Sequence, residues 1–393
     1  MPAGFSRTPV DVVVVGAGVV GAACAYYSAR AGLAVAVVDA AGIAGGTTGA
    51  GEGNLLVSDK EPGPELALAL RSLALWRELD GDLGCDSGFE YERKGGVVVA
   101  ESAEAHARLE AFAAGQRAAG ITAEPVRDAE LADLEPRLAP GLPGGIHYPQ
   151  DAQVQPMLAA AALLRAARAH GATVHPHTRV TALERDRHGR VTGVVTTGGT
   201  VAAGAVVNAA GTWGGEVAVL AGVEVPILPR RGFVLVTEPL PPMVRHKVYS
   251  AEYVANVASS SPDLETSAVV EGTASGTILI GASRERVGFD RTLSLRVLQR
   301  LATQAVRLFP FLAGVSAIRA YRGFRPYAPD HLPVIGHDPR APGLFHACGH
   351  EGAGVGLAPV TGSVVAALLT GQDPGLDVRP FRPERFDSTA VPA

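Results

Sequence analysis

The chain of 393 residues is 47% hydrophobic and 19% charged, which provides apolar material for one large or two interleaved domains and excludes disorder over most of its length. Thirty-four Lys and Arg nearly balance 39 Asp and Glu, and the net charge of −5 gives no electrostatic case for nucleic acid or an anionic membrane surface. Cys24, Cys85 and Cys348 lie far apart without CxxC or His-rich spacing, which argues against a disulfide framework or a zinc site and for a reducing, cytoplasmic setting.

Residues 10–15 form a valine run broken by Asp11, the pattern of a parallel strand buried on both faces. The turn Gly16-Ala17-Gly18-Val19-Val20-Gly21 opens a helix to about Arg30, Gly32 ends it, and 34–38 is a second buried strand finishing at Asp39. This βαβ unit implies a right-handed crossover and a parallel sheet. The same stretch carries no charge from Val12 to Ala29, but its central glycines make strand, turn and helix the better reading, so no membrane span is expected. A loop rich in Gly and Thr runs over 42–54, and 64–79 and 153–170, the latter opening at Pro156, read as helices. Strands follow at 173–175, 180–185, 191–197 and 205–207, the last running into Asn208-Ala209-Ala210-Gly211. Between 228 and 283 the pattern is β-rich, with strands at 232–237, 267–271 and 277–281 and an exposed loop at 259–265; 293–309 is an amphipathic helix. The last third returns to a strand at 343–348, a glycine turn at 349–356 and a helix at 357–369.

Gly16, Gly18 and Gly21 make the GxGxxG pattern after a strand and at the start of a helix. There they allow a sharp turn, close approach of the backbone to a pyrophosphate, and close packing of helix on strand. Asp39 stands where an acid accepts hydrogen bonds from an adenosine ribose. A nicotinamide enzyme usually completes its sheet with further βα units in succession. Here a glycine-rich loop, a late β-rich insertion and a C-terminal glycine turn fit a longer cofactor extended between distant segments.

Several segments then match in order: the fingerprint, the loop after Asp39, Val154-Gln155-Pro156, and Asn208-Ala209-Ala210-Gly211. Arg322-Gly323-Phe324-Arg325-Pro326 follows, with Pro329-Asp330 and Pro333-Val334-Ile335-Gly336 behind it. The last is Gly349-His350-Glu351-Gly352 with Gly354, Gly356 and Ala358-Pro359-Val360-Thr361-Gly362. Over nearly its whole length the chain resembles the D-amino-acid oxidase/glycine oxidase/sarcosine oxidase family of FAD-dependent amine oxidoreductases, and most of all the glycine oxidases and related bacterial amine or imino-acid dehydrogenases. The resemblance implies an α/β fold: a Rossmann-like, discontinuous FAD-binding domain from 1–90, 150–225 and 320–393, and a β-rich substrate domain from 91–149 and 226–319.

It also implies roles. Val19 and Val20 would sit under the pyrophosphate, Asp39 and Ala40 at the ribose, and Val180 at the adenine. Thr47 and Thr48 would donate to phosphate and ribityl oxygens, and Glu52, Gly53, Asn54 and Gly211 would lie along the cofactor. His350, Glu351, Gly352, Ala353, Gly354, Val355 and Gly356 would form the turn facing the flavin. Arg325 would bind a substrate carboxylate, with Arg322 on the opposite face and Asp330 as the competing partner. Glu52 replaces a small residue of the family, and Gly352 an Arg. Ala268 or Ser267 stands where an aromatic hydroxyl is usual, leaving Tyr249 or Tyr253 to supply one. No Cys near Arg325 is present to tether the flavin, so FAD would be non-covalent. The implied reaction is oxidation of an amine α to a carboxylate, of the glycine or N-substituted glycine type, to a 2-oxo acid plus amine, with O2 reduced to H2O2. A dehydrogenase delivering electrons to a quinone or partner subunit, a non-catalytic flavin-binding subunit, and a homo-oligomer stay open.

Overall fold

The computed structural model describes residues 8–84 and 88–387, so Cys85 lies outside the described residues. β1 (Val10–Val15), α1 (Val19–Arg30) and β2 (Val35–Val38) form the expected βαβ unit, with β2 parallel to β1 in the register Val12 to Val35. The uncharged run from Val12 to Ala29 is thus divided between a strand and a helix. Then come β3 (Asn54–Leu55), α2 (Pro64–Leu79), β4 (Gly96–Ala100), α3 (Ala103–Ala118), β5 (Glu124–Val126), α4 (Asp128–Leu134), β6 (Gly144–Tyr148), β7 (Ala152–Gln153) and α5 (Pro156–Ala169). Pro64 and Pro156 each open a helix, where a missing N–H is not felt. The chain continues through β8 (Thr173–His175), β9 (Val180–Arg185), β10 (Val191–Thr196), β11 (Gly199–Asn208), α6 (Gly214–Leu220), β12 (Leu228–Thr237), β13 (Lys247–Ser250) and α7 (Ala251–Val257). It closes with β14 (Glu265–Gly272), β15 (Ile278–Arg284), α8 (Leu295–Leu308), β16 (Ala317–Tyr327), β17 (Val334–His337), β18 (Leu344–Cys348) and α9 (Gly354–Leu369).

Two sheets organise these elements. The first has the order β17-β18-β11-β1-β2-β8, parallel except for β17, with β9 and β10 as an antiparallel extension of β11. β1 lies inside it, and Val12, Val13 and Val14 are sealed between α1 on one face and the residues around Val217 and Val334 on the other. The second has the order β16-β12-β15-β14-β13-β4-β6-β5 and is antiparallel apart from β13 beside β4. Its buried face packs against the apolar side of α8, including Leu301 and Leu308. β16 pairs along its whole length with β12, so the boundary expected at 320 falls inside a strand of the second sheet. The first sheet resumes only at β17.

α9 begins at Gly354, three residues before the sequence reading placed it, because the glycine turn itself winds into the helix. By length and composition the segment Glu351–Leu369 could cross a membrane; here half of it is buried, and α9 packs closely on α1. That packing depends on Gly362, where a β-carbon would sit 2.6 Å from the Ala23 carbonyl.

Candidate active site

The first turn after β1 behaves as its glycines dictate. Gly16 has φ +115° and a β-carbon there would overlap the Ala209 carbonyl, while one on Gly21 would overlap the Gly16 carbonyl. A β-carbon on Gly18 would stand 3.0 Å from Thr48 Oγ1. The Val19 N–H at the start of α1 donates to Thr48 Oγ1 at 3.0 Å. Asp39 accepts from the Ala17 N–H and the Ala41 N–H, both at 2.7 Å, so it ties the two turns together as well as facing the cavity. The Thr47 hydroxyl donates to the Phe324 carbonyl at 2.7 Å and lies 3.1 Å from Thr212 Oγ1. Its proton is committed within the protein, so the expected hydroxyl donation to a phosphate is corrected to anchoring of the loop on β16.

These turns border a cavity of about 520 Å³. Gly16, Gly18, Val19, Val20, Asp39, Ala40, Thr47, Thr48, Val180 and Gly211 line it, together with Glu52, Asn54, Tyr253, Arg325, His350, Glu351, Gly352, Gly354 and Val355. Five expected residues do not. Gly21 serves helix packing, and Gly53 lets the backbone cross Val154, whose carbonyl a β-carbon would overlap. Ala353 and Gly356 border a neighbouring space of about 20 Å³, and the Gly356 carbonyl accepts from Ser72 Oγ and Trp76 Nε1. Tyr249 is the clearest correction: it is fully buried, its hydroxyl contacts Ser58, and it lies 3.5 Å from Asp151. Ser267 and Ala268 are likewise interior to β14, and Tyr253, from α7, is the tyrosine on the cavity wall.

Arg325 reaches the cavity from β16. Its Nη1 donates to the Ser283 carbonyl at 2.8 Å, and among the described residues it has no carboxylate partner. Asp330 pairs instead with Arg385 at 2.6 Å. Gly232, across β12, leaves room that any β-carbon would take from the guanidinium. Arg322, three residues earlier, is absent from the cavity lining. Beneath lies Arg230, fully buried, paired with Glu351 at 2.6 Å and Glu265 at 3.1 Å. Burial alone would raise the Glu351 carboxyl; the His331 hydrogen bond and the Arg230 charge hold it below the ordinary carboxylate value. Burial pushes His350 down to about 3, so its ring is neutral at working pH. Thr361 donates to the Leu357 carbonyl and sits 2.9 Å from His350 Nε2, which assigns the imidazole proton to Nε2.

Glu52 accepts from Asn54 Nδ2 at 3.1 Å and lies 3.6 Å from Lys247 Nζ. Lys247 also contacts Glu271 and the Asn54 side-chain oxygen. Sequence reasoning missed Lys247, Glu271 and Ser283, since nothing local distinguishes a buried lysine on a short strand from a surface one. Burial pushes the thiols of Cys24 and Cys348 up to about 12, and neither lines the cavity.

A glycine-fingerprint βαβ unit, an acid-bearing second strand and a cavity continuing to a free arginine on a β-rich sheet define a dinucleotide-dependent oxidoreductase. Residues 11–368 match the DAO family model, described as FAD dependent oxidoreductase, and the chain belongs to that family. It is 32% identical to the glycine oxidase of Geobacillus kaustophilus (strain HTA426), over 94% of this chain and 96% of that protein. A crystal structure of glycine oxidase from that species aligns with TM-score 0.87 and 30% identity, covering 96% of this chain and 99% of that one. Hydrogen cyanide synthase subunit HcnC of Pseudomonas aeruginosa is 31% identical over 96% of each chain. The crystal structure of iminodiacetate oxidase (IdaA) from Chelativorans sp. BNC1 aligns with TM-score 0.81 and 26% identity, over 95% of this chain and 98% of that one. The protein is an FAD-dependent oxidoreductase of the glycine oxidase type, and the turns around Gly16, Gly18 and Asp39 fit its cofactor.

Proposed function

We propose that this enzyme oxidises an amine α to a carboxylate, glycine or an N-substituted glycine, to an imine that hydrolyses to glyoxylate plus the amine, with O2 reduced to H2O2. The observation that carries this reading is Arg325: a guanidinium on the cavity wall, fixed by the Ser283 carbonyl and free of any carboxylate among the described residues. Such a group binds a substrate carboxylate through charge-assisted, bidentate hydrogen bonds and fixes the α-carbon's position. FAD, when bound, supplies the hydride acceptor. Around it the chain contributes the N-terminal turn of α9, where Gly354 and Val355 border the cavity and the helix dipole favours negative charge. Neutral His350 adds no competing cation. Gly352 leaves space beside Arg325, its β-carbon position 3.8 Å from the arginine side chain, which favours a substituent on the amine. Iminodiacetate, named for one relative, is itself a glycine with an N-carboxymethyl group.

In this reading the first sheet carries the dinucleotide, and the second presents Arg325 and Tyr253, with the division at the end of β16 rather than at 320. The buried free thiols of Cys24 and Cys348 suit a reducing cytoplasm. The test is anaerobic bleaching of the flavin by glycine, sarcosine and N-alkylglycines of increasing length, followed by admission of air. Amine-dependent bleaching and stoichiometric peroxide support the proposal, and a flavin untouched by all of them overturns it. The similarity to HcnC favours a second reading, electron transfer to a partner, and bleaching without rapid reoxidation by air would select it.

A further inference from the structure

The acidic wall of the cavity is unused by the reading above. Glu52 borders the cavity with a side chain only 6% exposed. Its Oε2 accepts from Asn54, while its Oε1 is buried and has no hydrogen-bond partner. Behind it, Lys247 and Glu271 have side chains 2% and 1% exposed. Lys247 touches Glu271 closely and stands 3.6 Å from Glu52, so one cation serves two carboxylates. The group carries one uncompensated negative charge, and Glu52 Oε1 is the atom that presents it to the cavity. A buried carboxylate oxygen without a donor is unfavourable unless a ligand supplies one.

β15 relates this oxygen to Arg325. A β-carbon on Gly281 would overlap Glu52 Oε1, and the carbonyl two residues on, at Ser283, accepts from Arg325 Nη1. Two residues span at most roughly 7 Å of backbone, so an anion and a cation flank one short stretch of strand. An α-amino acid, with ammonium and carboxylate one carbon apart, presents the complementary pair. We propose that Glu52 is a specificity-determining residue whose Oε1 binds the primary or secondary ammonium of the substrate, while Lys247 and Glu271 act as positioning residues that keep this wall anionic. The site then selects a zwitterion over a carboxylate that lacks the amine. This rests on the amine-oxidation reading and extends it from the carboxylate end to the amine end.

The experiment uses the FAD-loaded full chain and two ligands: glycine, and acetate as the amine-free carboxylate, each titrated by its perturbation or bleaching of the flavin spectrum under anaerobic conditions. Glu52→Gln should retain FAD, weaken glycine at least tenfold, and bind acetate as well as or better than the parent. Glu271→Gln, which leaves Lys247 to neutralise Glu52, should shift the glycine-to-acetate ratio in the same direction although residue 271 does not border the cavity. The proposal is overturned if Glu52→Gln weakens both ligands by the same factor, changes neither, or alters FAD binding with the ratio intact. If Glu52→Gln does not fold, an unchanged ratio in Glu271→Gln overturns it. A parent enzyme that binds glycine over acetate without bleaching would reject the oxidation reading and leave this one standing.

Discussion

At the scale of single residues the cavity owes its chemistry to groups that lack local partners. Arg325→Ala should leave FAD bound and weaken carboxylate substrates by about 2–3 kcal/mol, roughly 30- to 150-fold in KM, the value of a charge-assisted pair. Unchanged kinetics would remove Arg325 from the site. Gly18→Val places a side chain against Thr48 Oγ1 at the expected pyrophosphate approach, and purified protein should contain no FAD; a stoichiometrically yellow variant would contradict the fingerprint. Asp151 gives a pH signature away from the cavity. Burial pushes its carboxyl up to about 7 from an ordinary 3.8, against the hydrogen bonds of Ser58 and Val57. The folded state therefore holds a proton that the unfolded state releases between about pH 4 and 7, and this contribution to stability is lost as pH rises through that window. Asp151→Asn cannot lose a proton. Its stability relative to the parent should improve with pH across the window, by up to roughly 1.4 kcal/mol per unit. Denaturant midpoints at pH 4.5 and 7.5 decide this, and parallel behaviour of the two proteins would refute it. Arg325, the fingerprint glycines and Asp39 were legible because each sits in an ordered motif. Tyr249 and Tyr253 were not separable, because a strand ends at Ser250 and a helix starts at Ala251. That change of period buries one ring and turns the other to the cavity.

At the scale of elements, strongly patterned segments matched closely: α2 runs over the expected 64–79, and α5 opens at Pro156. α7, with seven residues in a β-rich stretch, carried no periodic signal long enough to read. The pairing of α1 with α9 joins segments more than 300 residues apart and depends on backbone approach at Gly362. Gly362→Ala should lower stability by about 1–3 kcal/mol through overpacking, with the cavity residues unchanged. A thermal melt of the FAD-loaded variant measures it, and an unshifted Tm would show that the two helices separate without cost.

At the scale of the whole molecule, the cavity is walled by both sheets: α1 and β2 from the first, β12 and β16 from the second. A ligand that bridges them stabilises the folded state as a unit. Removing FAD should lower Tm, and restoring it at a hundred times Kd should return about 2.7 kcal/mol. A melt insensitive to FAD would mean that the cofactor does not span the two sheets.

The sequence by itself determined the βαβ unit, the phosphate-facing glycines, the acid at Asp39 and the carboxylate-binding arginine. Each rests on short-range pattern, a strand of valines or a turn that admits no side chain. Only the tertiary structure decided that β16 belongs to the second sheet, that Asp330 is taken by Arg385 and leaves Arg325 free, and that Glu52 shares Lys247 with Glu271. Those outcomes depend on which distant segments meet. Burial and ion pairing are set by neighbours close in space and far apart in the chain, and no local pattern encodes them.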